Sequence, residues 1–180
     1  MKRIIAALLA GLCLLALVGC SAGSKADSAA PKDYSQIIHD ARTDEDNEYD
    51  MIFTKGEDGK FTAIDGYSAE YDADQLDDEV KNMILPLLNL EDDMYTDLAA
   101  SVSSMMVRSY AVAIVKPAEG KTDEVKAALE AYVASEQQSM DQYQIAKAAT
   151  VTVASTGEVV LVCAEDHDTL LANIEKALAA

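Results

Sequence analysis

The spacing of apolar residues predicts alternating strands and helices in the second half of the chain. Strands are predicted over 99–107, 109–116, 149–154 and 158–164, with one helix capped by Thr122 and running to about Tyr143 and a last helix capped by Asp168. The stretches 109–116 and 149–154 show period-two alternation, 158–164 is apolar on both faces as in a central strand, and the helices carry apolar residues three and four positions apart. Hairpins separated by helices are typical of an α+β fold. We therefore expect an antiparallel sheet with helices packed on one face, a ββαββα two-layer sandwich.

Shorter elements are predicted near the start of the domain. Residues 34–41 indicate a helix with Asp33 as its N-cap. Residues 51–54 and 60–64 indicate two strands of a hairpin, and the acidic stretch 43–50 between helix and hairpin is interpreted as a loop. These elements form an N-terminal helical and hairpin extension of the sheet.

Residues 75–88 predict a further helix. Its buried face is expected to contain the apolar residues at three-and-four spacing, which are Leu76, Val80, Met83, Ile84 and Leu87. Pro86 should end or kink this helix, because proline cannot donate a backbone hydrogen bond. Residues 91–98 are expected to add one or two helical turns.

The first twenty residues have the pattern of a lipoprotein signal. Lys2 and Arg3 precede an uncharged apolar run over 4–18, and Leu17-Val18-Gly19-Cys20 ends it. Such a pattern is typical of a secretory signal, and the run is shorter than the ~20 residues that a membrane-spanning helix needs. The tetrapeptide resembles the bacterial lipobox, which implies a diacylglyceryl anchor on the thiol of Cys20. An ordinary cleaved signal is the alternative.

This pattern divides the chain into three parts. They are a signal peptide over 1–19, a lipidated cysteine and flexible tether over 20–32, and a single α+β domain over 33–180. The tether is rich in Ser, Ala and Gly and has no apolar period. The division also accounts for the cysteines, because Cys13 leaves with the signal peptide and Cys20 carries the lipid. The remaining one, Cys163, lies in an apolar run and is expected to be a buried structural thiol.

The charge of the chain excludes several classes of partner. Lys and Arg number 14 against 32 Asp and Glu, a formal net charge of -18. Loss of Lys2 and Arg3 leaves 12 against 32, or -20, for residues 20–180. Nucleic acid and anionic lipid surfaces are both bound through clustered Lys and Arg, so we expect neither as a ligand. The expected contact with the membrane is therefore the lipid anchor at Cys20.

Several segments carry a resemblance to a known family. They are MILPLLNL (83–90), SVSSMMV (101–107), YAVAIVKPAEG (110–120), DQYQIAKAA (141–149) and the strand over 158–165. These segments resemble a family of small lipoproteins from Gram-positive anaerobic bacteria, known as a domain of unknown function. The resemblance spans residues 33–178 and is thinnest before residue 75. It implies a secreted, lipid-anchored domain and supplies no catalytic residue.

Acidic stretches suggest Ca²⁺, but their spacing does not match an EF-hand. That loop needs Gly at its sixth position and Glu at its twelfth. Counted from Asp44, these positions hold Tyr49 and Lys55, and counted from Asp72 the sixth position holds Asp77. We interpret the acidic stretches as solvated surface, with a loose Ca²⁺ site of another type as the alternative.

No sequence motif indicates catalysis. Gly-x-Ser-x-Gly, His-Glu-x-x-His and a Gly-rich phosphate loop are all missing from the sequence. His39 and His167 are the two histidines, and their spacing is not that of metal ligands, so each is expected to be a surface residue beside a loop. We predict no enzyme activity, no cofactor, and no catalytic or metal-binding residue.

Five other side chains are candidates for binding. Tyr67, Tyr71 and Tyr95 either line a half-wet binding surface or lie ordinarily at the rim of the core. Arg108 and Lys147 are scarce cations in an acidic chain. Each of them either pairs with a neighbouring carboxylate or contributes to an anion pocket.

These observations predict a lipid-anchored, extracytoplasmic bacterial lipoprotein that binds or scaffolds without catalysis. Its expected partner is a protein or another component of the cell envelope. A lipoprotein that binds a small molecule or Ca²⁺ is the alternative, and an enzyme is the third hypothesis. A flat apolar patch would favour the first, converging carboxylates would favour Ca²⁺, and a pocket containing His39 or His167 with a serine would favour the enzyme.

Overall fold

Six antiparallel strands form one open sheet in the computed structural model of the protein, which describes residues 32–103, 105, 107–139 and 142–180. The strands are β1 (Ile52–Lys55), β2 (Phe61–Ile64), β3 (Tyr95–Val102), β4 (Ala111–Pro117), β5 (Thr150–Val153) and β6 (Val159–Cys163). Their order across the sheet is β2-β1-β3-β4-β6-β5. The predicted α+β class with an antiparallel sheet is therefore confirmed.

Some predictions concern residues outside this description. The signal peptide over 1–19, Cys20 and the tether as far as residue 31 are among them. So are Ser104 and Met106 of the predicted strand 99–107 and of the family segment 101–107. Met140 and Asp141 of the predicted helix are also outside it, and Asp141 begins the family segment 141–149. Among the described residues, none of the helices combines the length and the apolar character that crossing a membrane requires.

Helices cover both faces of the sheet. The α-helices are α1 (Tyr34–Ala41), α2 (Asp44–Tyr49), α3 (Ala73–Glu79), α4 (Leu85–Leu87), α5 (Thr122–Glu136) and α6 (His167–Ala179). A π-helical turn spans Val80–Ile84, and 3-10 turns span Ser68–Glu70 and Ile145–Ala148. Buried residues of α3, α4 and α5 belong to the core on one face of the sheet, and those of α1 and α6 belong to the core on the other. The prediction of helices on one face is therefore wrong, and the domain has three layers instead of two.

The third layer exists because the central strands are apolar on both faces. In β4, Ala111, Ala113 and Val115 contribute to the core beside α5, whereas Val112 and Ile114 contribute to the core beside α1 and α6. This alternation was expected from the sequence and is confirmed. Exposed apolar surface costs ~25 cal/mol per Å², so a strand of this kind needs cover on both sides.

Helix α1 confirms the predicted bounds and the predicted cap. One carboxylate oxygen of Asp33 accepts the backbone N–H of Gln36 at 3.1 Å and the hydroxyl of Ser35 at 2.6 Å. Ile38 is fully buried against the sheet. The short hairpin of β1 and β2 also confirms its prediction.

The cap at Asp33 predicts a pH-dependent contribution to stability. Asp33→Ala should lower the free energy of unfolding by about 1 kcal/mol near neutral pH, because the first turn of α1 loses its acceptor. The hydrogen bonds from Ser35 and Gln36 lower the pKa of Asp33. The contribution is therefore present above the ordinary carboxyl pKa and is lost as the pH falls through the lowered value. Urea unfolding of both proteins should show a gap at about pH 7 that narrows at about pH 2. An equal gap at both pH values would contradict the charged cap.

The acidic stretch 43–50 is helical, so its prediction as a loop is wrong. The hydroxyl of Thr43 accepts the backbone N–H of Asp46 at 3.1 Å and caps α2. Asp44, Glu45 and Asp46 lie in the first turn, where the helix dipole favours negative charge. No residue of α2 is buried, so the apolar pattern carries no signal for this helix.

Several boundaries also differ from their predictions. Strand β3 begins at Tyr95, where helical turns were expected, because pairing with β4 runs from Tyr95 opposite Pro117 to Val102 opposite Ala111. Helix α5 begins at Thr122 itself and ends at Glu136, several residues before the predicted end. These differences shift the ends of elements and leave their order unchanged.

Candidate binding cleft

The helix predicted over 75–88 contains a π turn, which rotates its later side chains. Its first segment, α3, begins with a capping box in which Asp72 and Gln75 bond each other's backbone N–H. In the π turn that follows, the N–H of Leu85 donates to the carbonyl of Val80, one residue further back than in an α-helix. One extra residue turns the following positions by about 100° relative to a regular α-helix.

This rotation changes which apolar residues are buried. Three are buried as predicted, namely Leu76, Val80 and Ile84. Within the π turn, Met83 is 61% exposed, and after it Leu85 and Leu88 are buried while Leu87 is 44% exposed. The prediction that Met83 and Leu87 face the core is therefore wrong. The sequence did contain a sign that some of these residues are exposed, because the short stretch from Met83 to Leu88 contains more apolar residues than one helix face can bury.

Met83 and Leu87 line a cleft of about 800 Å³, which we call the Tyr/Met cleft. Four buried residues, Phe53, Ile84, Val102 and Tyr132, contribute to its floor. Its rim has six large apolar side chains that are 40–61% exposed, which are Tyr49, Tyr67, Tyr71, Met83, Leu87 and Met105. Within the described part of the chain, the other large exposed apolar residues are Tyr143 and Val153. The exposed apolar surface is thus concentrated in one place, as at binding sites.

Two of the three candidate tyrosines lie at this cleft. Tyr67 and Tyr71 flank the 3-10 turn Ser68–Glu70 and reach the rim. Tyr95 is buried, and its hydroxyl donates to a carboxylate oxygen of Asp92 at 3.1 Å. Burial raises the pKa of Tyr95, and Asp92 raises it further. Of the two interpretations of these tyrosines, the structure therefore excludes a surface role for Tyr95.

Arg108 lines both the Tyr/Met cleft and a neighbouring cleft of about 450 Å³. Its guanidinium pairs with the carboxylates of Asp50 at 2.6 Å and Asp46 at 3.1 Å and lies 4.3 Å from the ring centroid of Tyr110. Although burial acts to lower it, the pKa of Arg108 is raised by Asp50 and Asp46. Pairing with carboxylates is thus the interpretation that holds for Arg108. Lys147 instead donates to the amide oxygen of Gln144 at 2.9 Å.

A second arginine fixes the helix that carries Tyr49. The side chain of Arg42 has no exposed surface. It donates to the Ser101 hydroxyl at 2.9 Å, the Asn47 amide oxygen at 2.5 Å, the Asp50 carbonyl at 2.5 Å and the Asp65 carboxylate at 3.2 Å. These bonds tie α2 to β3 and to the segment after β2. Sequence reasoning missed Arg42, because Ser101 lies 59 positions away along the chain.

The histidines and Cys163 have structural partners away from the rim. His39 Nδ1 lies 2.7 Å from the carboxylate of Asp65, and His167 Nε2 lies 3.1 Å from that of Asp168. Neither histidine lines either cleft. Cys163 is a buried thiol, as predicted, and donates to the carbonyl of Ser109 at 2.6 Å. Within the described ranges, no group of three or more His, Cys, Asp or Glu side chains is arranged to hold a metal ion.

The fold and the cleft together define an α+β domain with an apolar cleft that is lined in part by residues of the acidic helices α2 and α3. The model of a family described as a domain of unknown function, DUF4358, matches residues 68–165, and the chain belongs to this family. The predicted resemblance to a family of unknown function is thereby confirmed. The matched segment includes Met83, Leu87 and Met105, whereas α1, α2 and α6 lie outside it. No curated protein and no solved structure matches the chain.

Proposed function

We propose that the protein is a lipid-anchored extracytoplasmic lipoprotein whose domain binds a protein of the cell envelope without catalysis. The Tyr/Met cleft is its binding site. The observation that carries this proposal is the concentration of six large exposed apolar side chains at the rim of the cleft. Covering such side chains contributes ~25 cal/mol for each Å² removed from water. Covering the cleft would therefore remove most of the large exposed apolar side chains of the described residues from water.

The exposure of the rim favours a protein partner over a small molecule. A small-molecule site usually buries about 70–90% of its ligand. Here the rim side chains are themselves 40–61% exposed, so they cover an occupant from one side. When the occupant is a segment of a protein partner, the rest of that protein covers the side of the segment that faces away from the cleft.

Two observations support binding over catalysis and over Ca²⁺. Both histidines bond carboxylates away from the two clefts, so neither is available as a general base there. Asp50, which lines the Tyr/Met cleft, and Asp46, which lines the neighbouring cleft, both pair with Arg108 instead of converging on an open position.

Support for the location comes from the sequence. The basic start, the apolar run and Leu17-Val18-Gly19-Cys20 occur in the order that a lipoprotein signal requires. The charge of -20 for residues 20–180 (12 basic against 32 acidic residues) repels the domain from anionic headgroups, which suits a tether that holds it off the membrane.

Site-specific photo-crosslinking in intact cells tests the binding role. A photoreactive phenylalanine derivative is placed at Tyr71 in the cleft or at Val153 outside it, positions that are 40% and 42% exposed. We expect an adduct of one defined mass from position 71 that disappears when Met83→Glu is added, and none from position 153. Equal adducts at both positions, or none at position 71, would show that the cleft is not the binding site.

A further inference from the structure

We infer that the segment bound in the Tyr/Met cleft is cationic, with apolar anchor side chains flanked by Lys or Arg of the partner protein. This inference rests on the proposed function and adds the chemistry of the partner. It depends on the charge of the helices beside the cleft, on the polar groups inside it and on the types of apolar side chain at its rim.

Both short helices beside the cleft are acidic. Helix α2 contains four carboxylates and α3 another four, and neither contains a Lys or Arg. Three of these eight carboxylates pair with cations from other elements, which are Asp46 with Arg108, Asp74 with Lys60 and Asp77 with Lys81. The surroundings of the cleft therefore keep an excess of negative charge, which attracts a cationic segment and repels an anionic one.

Most of the charged groups that line the cleft are negative as well. Asp50, Glu79 and Glu136 contribute carboxylates, and Arg108 is the one Lys or Arg among the described lining residues. Because Arg108 already pairs with Asp46 and Asp50, an incoming anion would have to compete with two carboxylates for it. Glu79 is half-buried at the end of α3, beside the exposed Met83, so an apolar anchor and an adjacent cation can be bound together.

The rim side chains suit apolar anchors that have positive charges beside them. Met83 and Met105 have flexible, polarisable thioethers, which adapt to anchors of different shapes. Tyr49, Tyr67 and Tyr71 offer apolar ring faces that also attract cations. A segment with alternating apolar and basic residues can use both kinds of side chain at once.

Peptide titration against the full chain tests this inference. The protein is reconstituted in nanodiscs of neutral phosphatidylcholine, with protein-free nanodiscs as the blank. Three short dye-labelled peptides are compared by fluorescence anisotropy. The first alternates Leu and Phe with Lys, the second has Glu in place of Lys, and the third keeps Lys but has Ser in place of Leu and Phe. We expect the first to bind at least about tenfold more tightly than the others, and to weaken as salt rises from about 0.05 to about 0.5 M.

Two charge-reversal variants locate the interaction. Glu79→Lys should weaken binding of the Leu/Phe/Lys peptide about tenfold. Glu175→Lys makes the same change of charge at an exposed position of α6, on the other face of the sheet, and should leave binding unchanged. Met83→Gln, at a side chain that is already exposed, should weaken binding without unfolding the protein.

The remaining outcomes separate this inference from the proposed function. Equal binding of the Glu peptide would overturn the cationic partner, and equal binding of the Ser peptide would overturn the apolar anchors. Equal weakening by Glu79→Lys and Glu175→Lys would place the interaction outside the cleft. If no peptide binds while Tyr71 still forms its specific adduct in cells, the inference fails and the proposed function stands. If neither is observed, both fail.

Discussion

Replacing Arg42 with methionine should lower the free energy of unfolding by about 3–5 kcal/mol, the largest effect that we expect from a single substitution in this domain. The side chain of Arg42 has no exposed surface and pairs with Asp65, whose own side chain is 15% exposed. Methionine has a similar length but cannot donate a hydrogen bond. The variant therefore leaves the nearly buried carboxylate of Asp65 with His39 as its remaining ion-pair partner, and three further acceptors lose a donor.

Urea unfolding followed by far-ultraviolet circular dichroism measures this effect, since the chain contains no Trp. Lys60→Met is the matched control, because Lys60 and Asp74 form an ion pair whose side chains are 53% and 85% exposed. Exposed pairs of this kind contribute little, so we expect no measurable change in the control. Equally small losses in the two variants would show that the contacts of Arg42 do not hold α2 in place.

Replacing Cys20 with alanine should move the protein from the membrane fraction to the soluble fraction, the second large effect that we expect. In the proposed lipoprotein, two acyl chains on this thiol supply the anchoring, at ~0.8 kcal/mol for each buried CH₂ group. The variant lacks the thiol and therefore loses the attachment point. Cell fractionation and incorporation of labelled palmitate measure the two consequences separately.

Cys13→Ala is the matched control for the anchor, because this residue lies within the apolar run and Ala is common there. It should retain both the label and the membrane association. Membrane association of the Cys20→Ala variant without label would place the anchor elsewhere in the chain. Loss of label and of membrane association in the Cys13→Ala variant as well would show that the effect is not specific to Cys20.

The sequence predicted correctly those elements whose N-cap and apolar period lie within the element itself. The Asp33 cap and the apolar residues that follow it predicted α1 with both its bounds. Alternation in β4 predicted which residues face each core, and the apolar run of β6 predicted a strand buried on both faces. These predictions held because period and capping depend on neighbours a few residues away.

Predictions failed where stability comes from partners that are distant in sequence. Helix α2 buries no residue of its own, and its side chains are held by Arg42 and by Arg108, which lies 62 positions from Asp46. Strand β3 begins at Tyr95, in the stretch where helical turns were expected, because the residues from Tyr95 onward pair with β4. No local window contains these partners, so the pattern of apolar residues cannot report them.

The candidate site also contains residues that the sequence identified and residues that only the structure revealed. Tyr67 and Tyr71 were candidates from the sequence, because tyrosine is common where a groove is half wet, and both lie at the cleft. Met83 and Leu87 were assigned to the core, since the regular helical period places them there. The π turn over Val80–Ile84 moves them to the cleft by adding one residue to the helical repeat.

The sequence by itself determined the α+β class, the order of the main elements, the acidic charge and the prediction of a lipid anchor at Cys20. Periodicity, composition and the signal pattern can each be evaluated along the chain without knowing which elements pack against each other. The tertiary structure alone decided that helices cover both faces of the sheet and that the large exposed apolar side chains meet in one cleft. It also decided that Arg42 and Arg108 fix helix α2, which carries Tyr49 at the rim of that cleft. These features depend on contacts between elements, and such contacts form only when the whole chain has folded.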